Sequence, residues 1–298
     1  MTEIGFVGLG SMGAPLAARL LPGNRVHGTN RTQAKAAELI DKGLIWHDTP
    51  REVASATQVL FSMVTDDDAL AAITTGPDGI LAGLRPGTTY VDMSTVTPQA
   101  SRALAARVRD NGGALIDAPV SGSVPAAESG TLAIMVGGPE AAFRAAEPLL
   151  RRLGSSVTHV GANGQGLQLK LAINISLAAQ VLAFSEGLLL AERGGIDPEL
   201  AAEVMTTSSI GSPLLRARAP LILDLPEQAW FDVRMLHKDI RLALAAARDA
   251  RIPSPAASAA DQVLGQAEEL GYGHRDVASL LQVLARMAEQ SGSDPRAA

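Results

Sequence analysis

Lys170 and Asn174 stand four residues apart in an apolar run, Leu167 to Leu190, of a chain whose other lysines are Lys35, Lys42 and Lys238. On a helix that spacing puts both side chains on one face, a turn apart. A lysine on a buried helix is rare, because its ammonium must leave water. The same desolvation disfavours the charged form and lowers the pKa, which is what a proton-transferring amine needs near neutral pH. The alternative is that Lys170 snorkels from the first helical turn to solvent while Asn174 caps a loop.

A second set of residues opens the chain. The apolar run Ile4 to Val7 flows into Gly8-Leu9-Gly10-Ser11-Met12-Gly13 and then into an alanine-rich stretch. This is G-x-G-x-x-G in the strand, turn and helix setting that a dinucleotide site requires: Gly8 for the tight turn, Gly10 for close approach of backbone to a pyrophosphate, Gly13 for helix packing on the sheet. The helix N-terminus adds unpaired N–H groups and a positive dipole end. A second strand, Arg25 to Thr29, ends in Asn30-Arg31-Thr32, where an NAD enzyme would usually carry an acidic residue for the ribose. A guanidinium beside a hydroxyl suits a phosphate ester, so NADP is favoured over NAD. The alternative is that Arg31 only solvates the start of the next helix.

Loops at the carboxyl ends of parallel strands bind ligands in open α/β sheets. Three such loops carry polar residues: Val64-Thr65 after Met63, Asp92-Met93-Ser94-Thr95, and Asp117-Ala118-Pro119-Val120-Ser121-Gly122-Ser123. The two hydroxyls flanking Gly122, with exposed N–H groups, make a cradle for a carboxylate. Further on, His237-Lys238-Asp239 stands on a helix whose Leu236, Ile240 and Leu244 form an apolar stripe. From spacing alone, Lys238-Asp239 reads as a solvated charge pair. The histidines show no metal-ligand spacing, the chain has no cysteine, and no G-x-S-x-G elbow is present, so no metal, thiol or serine-hydrolase site is expected.

The elements that must position these residues fall into two groups. Strands are expected at Ile4–Val7, Arg25–Thr29, Val59–Met63, Thr89–Val91, Ala114–Asp117, Ala133–Val136 and Val157–Val160, with helices at Ala14–Leu21, Thr32–Asp41, Asp67–Ile73, Pro98–Asn111 and Pro139–Arg151 between them. Such alternation is the pattern of an α/β Rossmann-type doubly wound sheet. After Gly161 strand signals stop, and Gly164-Gln165-Gly166 opens a helix reaching Arg193, about 40 Å long. It is apolar on almost every face, which predicts a buried helix. The rest reads as helical: Pro198–Thr206, Ser212–Ala219, Val233–Ala250, Ala256–Leu270 and Val277–Glu289, with a disordered tail from Ser291. The expected division is residues 1–161, binding NADP, and residues 162–298, an all-helical C-terminal domain for substrate and oligomerisation that includes the long connecting helix. A net charge of −6 with 2 Trp, 2 Tyr and 5 Phe argues against nucleic acid. No signal segment is seen, Lys170 and Glu186 interrupt the long apolar run, and neither a membrane nor an export route is expected; a reducing cytoplasm is the expected location.

In order, Gly8–Gly13, Asp117-Ala-Pro-Val-Ser-Gly, Gly164-Gln-Gly-x-x-x-Lys170 with Asn174, and Lys238-Asp239 make the chain resemble the β-hydroxyacid dehydrogenases, the family of 3-hydroxyisobutyrate dehydrogenase and tartronate semialdehyde reductase. The resemblance runs from Gly5 to about Leu284. It implies NADP or NAD as cofactor, a short 3-hydroxy acid or semialdehyde as substrate, a homodimer or homotetramer, and Lys170 as acid/base with Asn174 orienting the substrate. It also implies that Ser121 and Gly122 hold the substrate carboxylate, and that Thr95 and Lys238, beside Asp239, meet the nicotinamide half of the cofactor or the substrate. The family's usual Ser-Gly-Gly is Ser121-Gly122-Ser123 here, which adds bulk and a hydroxyl where the substrate tail would lie. Imine reductases of the same architecture generally lack the lysine matched by Lys170. A non-catalytic NADP-binding protein would have no reason to keep it.

Overall fold

The computed structural model describes residues 1–292. Two compact units divide the chain, Met1–Lys170 and Leu171 onward. In the first, a single sheet contains β1 (Glu3–Val7), β2 (Arg25–Thr29), β3 (Ile45–Trp46), β4 (Val59–Ser62), β5 (Thr89–Asp92), β6 (Ala114–Asp117), β7 (Val120–Ser121), β8 (Leu132–Gly137) and β9 (Gly154–Gly161). The spatial order is β3-β2-β1-β4-β5-β6-β8-β7, with β9 also paired to β8. From β3 through β6 every pairing is parallel. Between the strands run α1 (Gly13–Leu20), α2 (Ala37–Asp41), α3 (Pro50–Ala56), α4 (Asp67–Thr74), α5 (Ile80–Gly83), α6 (Pro98–Asp110), α7 (Val124–Ser129) and α8 (Glu140–Leu153).

The strands are near-continuous apolar runs because helices cover both faces of the sheet. Successive side chains point to opposite faces, and the packing follows that period. Phe6, Phe61, Val91 and Ile116 join one core layer, with Leu16 and Leu20 of α1. Their neighbours Val7, Leu60, Tyr90 and Leu115 join the other, with Val53 of α3, Leu104 of α6 and Leu167. The Phe6 and Phe61 rings stack at 6.0 Å, which fixes β1 beside β4 at the crossover point of the sheet.

Several local features differ from expectation. The segment expected as one helix from Thr32 is a 3₁₀ turn, Gln33–Ala36, followed by the short α2. The two-residue β3 is too short to show a period, and α3 was not anticipated although Thr49 and Glu52 form a capping box at its start. The strands after β6 are not a simple continuation: β8 runs antiparallel to β6 and β7, and β9 runs parallel to β8.

The second unit is helical. The long α9 (Gln165–Arg193) begins in the first unit and continues through the second, followed by α10 (Pro198–Thr207), α11 (Pro213–Leu223), α12 (Val233–Asp249), α13 (Pro255–Glu269) and α14 (Leu280–Gly292). Ala178 and Val181 of α9 pack with Leu236 and Ile240 of α12, Leu264 of α13 and Val283 of α14. The expectation of an all-round buried α9 is corrected: Leu169 is 40% and Leu190 77% exposed, because the helices packed on α9 cover one side of its cylinder. Ser291 and Gly292, expected as tail, end α14; the rest of that tail lies outside the described residues. Asp276 is buried, pairs with Arg218 at 2.7 Å and accepts the N–H groups of Trp230 and Phe231, so the segment leading into α12 is held by one carboxylate.

At the far edge of the first unit, Glu3 bonds His27 at 2.6 Å and His27 bonds His47 at 2.8 Å, linking β1 and β2 to the residue after β3. Burial, and then the neighbouring His27 imidazole, hold the His47 pKa below its ordinary value. The folded chain therefore keeps His47 neutral where the unfolded chain takes up a proton, so this contribution to stability is present above about pH 6.5 and is lost as the pH falls below it. In denaturant titrations, His47→Gln should reduce the loss of stability between about pH 7 and pH 5; equal slopes in variant and native chain would show that His47 carries none of it.

Candidate active site

In the first unit the glycine loop lies between β1 and α1. Gly8 has φ +95°, and a Cβ there would strike the Met63 carbonyl. A Cβ on Gly13 would run into the Gly8 carbonyl and come 3.2 Å from the Phe6 ring, so only glycine lets α1 start this close to the loop. Gly10 is different. Nothing lies within 4 Å of its missing Cβ, and the residue is exposed, as backbone open to a ligand must be. No side chain caps α1, since its cap position is Met12, and Ser11 is exposed beside it. The loop is pinned from β2: Gly8 N–H donates to the Thr29 carbonyl at 3.0 Å, and Leu9 N–H to Asn30 Oδ1 at 3.1 Å. Asn30 Nδ2 in turn reaches the Thr32 carbonyl at 3.0 Å. Arg31 and Thr32 are exposed, and Arg31 makes no hydrogen bond or ion pair among the described residues.

The loops after β4 and β5 are tied together by buried polar groups. Val64 N–H donates to Ser94 Oγ at 3.0 Å, and Ser94 Oγ donates to Asp92 Oδ1 at 2.7 Å. Ser62 Oγ also donates to Asp92 Oδ1 at 2.7 Å and meets the Tyr90 hydroxyl at 2.8 Å. Asp67 accepts Thr97 N–H and Oγ at 2.8 and 2.6 Å. Thr65 is exposed and Thr95 half-buried on these fixed loops. Burial raises the Asp92 pKa above the usual carboxylate range, with Ser94 and Ser62 pulling against it. The sequence placed Asp92 at a strand end but gave no sign of this network, whose members come from two neighbouring strands and the segments after them, some 30 residues apart in the chain.

Ser121-Gly122-Ser123 does not follow β6 directly. The chain leaves Asp117, passes Pro119 and forms β7, which pairs with Ala133 and Ile134 of β8. Gly122 has φ +130°, and a Cβ there would come 2.6 Å from Leu132 and 3.0 Å from Ala126, so the glycine is sterically required. Ser121 and Ser123 are half-buried, and neither hydroxyl bonds within the described residues. Asp117 itself is fully buried and holds the start of α9: its Oδ1 accepts Gly164 N–H at 2.7 Å and its Oδ2 accepts Leu167 N–H at 3.1 Å. Lys170 follows one turn on and is buried, not extended to solvent.

In the second unit, Asn174 is wholly buried and its Nδ2 donates to Asp239 Oδ2 at 2.7 Å. Its Oδ1 has no hydrogen-bond partner among the described residues. Asp239 is buried and pairs through Oδ1 with Lys238 Nζ at 2.8 Å. Lys238-Asp239 is therefore not the solvated pair that spacing suggested, because α12 turns Asp239 toward α9. The preceding His237 is bracketed by Glu268 and Asp261 of α13 at 2.6 and 3.1 Å, which fixes the rotation of α12. Among the described residues there is no cluster of metal-ligating side chains.

Two family models match the chain: the NAD-binding domain of 6-phosphogluconate dehydrogenase over residues 3–161, and the NAD-binding domain of NADP-dependent 3-hydroxyisobutyrate dehydrogenase over residues 164–284. The chain is 33% identical to 2-hydroxy-3-oxopropionate reductase of Escherichia coli, over 96% of this chain and 98% of that one. It is 32% identical to 2-(hydroxymethyl)glutarate dehydrogenase of Eubacterium barkeri, over 98% and 97%. A crystal structure of 3-hydroxyisobutyrate dehydrogenase from Salmonella typhimurium superposes with a TM-score of 0.87 at 27% identity, covering 95% of this chain and all of that one. An imine reductase from Myxococcus stipitatus shares the fold more distantly, with a TM-score of 0.66 at 21% identity and 95% and 99% coverage. Matched end to end by both models and by these relatives, the chain belongs to the β-hydroxyacid dehydrogenase family of NAD(P)-dependent oxidoreductases.

Proposed function

We propose that this protein is a dehydrogenase of short 3-hydroxy acids, or a reductase of the matching semialdehydes, that prefers NADP and uses Lys170 as its acid/base. The observation that carries this reading is a buried lysine one turn ahead of a buried asparagine on α9, with the amide held by Asp239. In this reading residues 1–161 hold the dinucleotide, and residues 162–298 carry Lys170 and Asn174.

The residues present suit the cofactor. The open backbone at Gly10 and the uncapped α1 N-terminus offer N–H groups to a pyrophosphate, along Leu9 to Gly13. Arg31, unengaged and beside Thr32, offers a forked donor to a ribose phosphate. Val64, Thr65 and Thr95, on the locked loops after β4 and β5, would hold the nicotinamide half, and the resemblance adds Lys238 to the residues that would bind it. When bound, the nicotinamide supplies the hydride acceptor or donor. The chain's own work is binding, orientation and proton transfer. Ser121 and Gly122 hold the substrate carboxylate with a hydroxyl and backbone N–H groups. Asn174, with an unsatisfied Oδ1, orients the reacting hydroxyl, while Asp239 fixes the amide so that it cannot flip. Lys170 accepts the hydroxyl proton in oxidation and returns it to the developing alkoxide in reduction. Burial keeps water from competing for that proton.

Lys170→Ala should lower turnover by a factor on the order of 10² or more while cofactor affinity, read by fluorescence titration, stays close to native. Near-native turnover at every pH would remove Lys170 from the chemistry. For the cofactor, catalytic efficiency should favour NADP in the native chain, and Arg31→Ala should erase that preference by costing NADP its charge-assisted bonds. A native preference for NAD, or a preference indifferent to Arg31, is the contrary result. Substrate acids should be turned over well and their methyl esters poorly, because the cradle binds charge; Ser123→Gly should shift the ranking toward the branched, apolar 3-hydroxyisobutyrate. A panel of acids and esters decides both points: equal rates for acid and ester exclude the cradle, and an unchanged ranking removes Ser123 from specificity.

A further inference from the structure

An α-helix begins with N–H groups that lack partners inside the helix, and a carboxylate there also meets the positive end of the dipole. Usually the residue just before the helix supplies it. In α9 it comes from a strand end 47 residues earlier, for Asp117 accepts Gly164 N–H and, on its other oxygen, Leu167 N–H. Space for the carboxylate depends on missing side chains. A Cβ at Gly137 of β8 or at Gly166 of α9 would come 2.7 and 2.8 Å from Asp117 Oδ2. Lys170 lies three residues beyond Leu167, within the next turn, so the height and rotation of the anchored turn set the position of its side chain.

We propose that Asp117 is the positioning residue for the proton-transfer group: by clamping the first turn of α9 to the end of β6, it fixes where the Lys170 amine sits. This rests on the reading of Lys170 as the acid/base. It predicts a specific pH dependence, because the clamp needs two acceptor oxygens. Burial lifts the Asp117 pKa to about 6, against the pull of the Gly164 and Leu167 N–H groups, and Asp92 adds a like charge. The groups around it are few: Asp92 lies in register on β5, Arg102 of α6 packs over Gly164, and β8 presents Gly137. Once protonated, one oxygen carries a hydrogen that faces donors, and the clamp loosens.

The reductive direction separates the two residues. There Lys170 must be protonated, so its titration gives the basic limb of the kcat–pH profile, while a fall in kcat as the pH drops below about 6 belongs to Asp117. In Asp117→Asn, whose amide presents one acceptor and one donor to two N–H donors, kcat should drop about tenfold or more, the scale of a misplaced catalytic group. The acidic limb should vanish, the basic limb should remain, and cofactor affinity should be unchanged. In the native chain, amide exchange at Gly164 and Leu167 should quicken beyond its intrinsic pH trend below about pH 6, a readout that needs no variant to fold and no turnover. A folded Asp117→Asn variant with native kcat or an unaltered acidic limb overturns the proposal, as does a native chain whose two amides show no such step. A basic limb that persists in Lys170→Arg overturns the Lys170 reading alone, leaving the amide-exchange result to stand by itself.

Discussion

The buried carboxylate of Asp117 joins the end of the parallel sheet to the first turn of the long helix, and the close approach of β8 and α9 in the first unit is fitted around that joint. A carboxylate removed from water costs several kcal/mol unless its lone pairs find donors. Here the donors are the very N–H groups that a helix start leaves over, so two costs offset each other. The geometry tolerates no side chain at Gly137 or Gly166, which explains glycines in places where neither turn nor positive φ calls for them.

Next to it, Asp92 does for the loops what Asp117 does for the helix. Ser62 and Ser94 both donate to one of its oxygens, and Ser94 receives the Val64 N–H, so the loops after β4 and β5 share one anchor. Its other oxygen has no partner among the described residues, and burial raises its pKa against the pull of Ser94 and Ser62. In the second unit the pattern recurs with a charge partner, where Lys238 balances Asp239 and Asp239 holds Asn174. Fixed dipoles and paired charges in a dry interior are the means by which such enzymes place reacting groups before the substrate arrives.

Family membership follows from matches that span the chain, yet it leaves the substrate open. The relatives carry names that differ in their acids and aldehydes. Ser123 follows Gly122, whose missing side chain lets the loop pack closely against Leu132, and it is where this chain has a hydroxyl in place of the second glycine of Ser-Gly-Gly.

The features legible in the sequence are those decided by near neighbours. G-x-G-x-x-G between an apolar strand and a helix is legible because its glycines serve contacts within the loop, with Phe6 of β1 and with Met63 just after β4. The doubly wound sheet and the helical second half are legible because burial on both faces leaves short continuous apolar runs, and burial on one side of a helix imprints a period on the chain. Lys170 and Asn174 stood out because helical spacing alone puts them together. What the sequence could not carry were contacts across tens of residues: Asp117 with Gly164, Asp92 with Ser62, Asn174 with Asp239, and the antiparallel β7 and β8 that carry Ser121 away from the end of β6. Composition assigns Asp239 to the solvent, as it does most aspartates; only the rotation of α12, set by His237 between two carboxylates of α13, turns it inward. Periodicity records which face of an element is buried, but the partner a buried polar atom meets is chosen by tertiary packing.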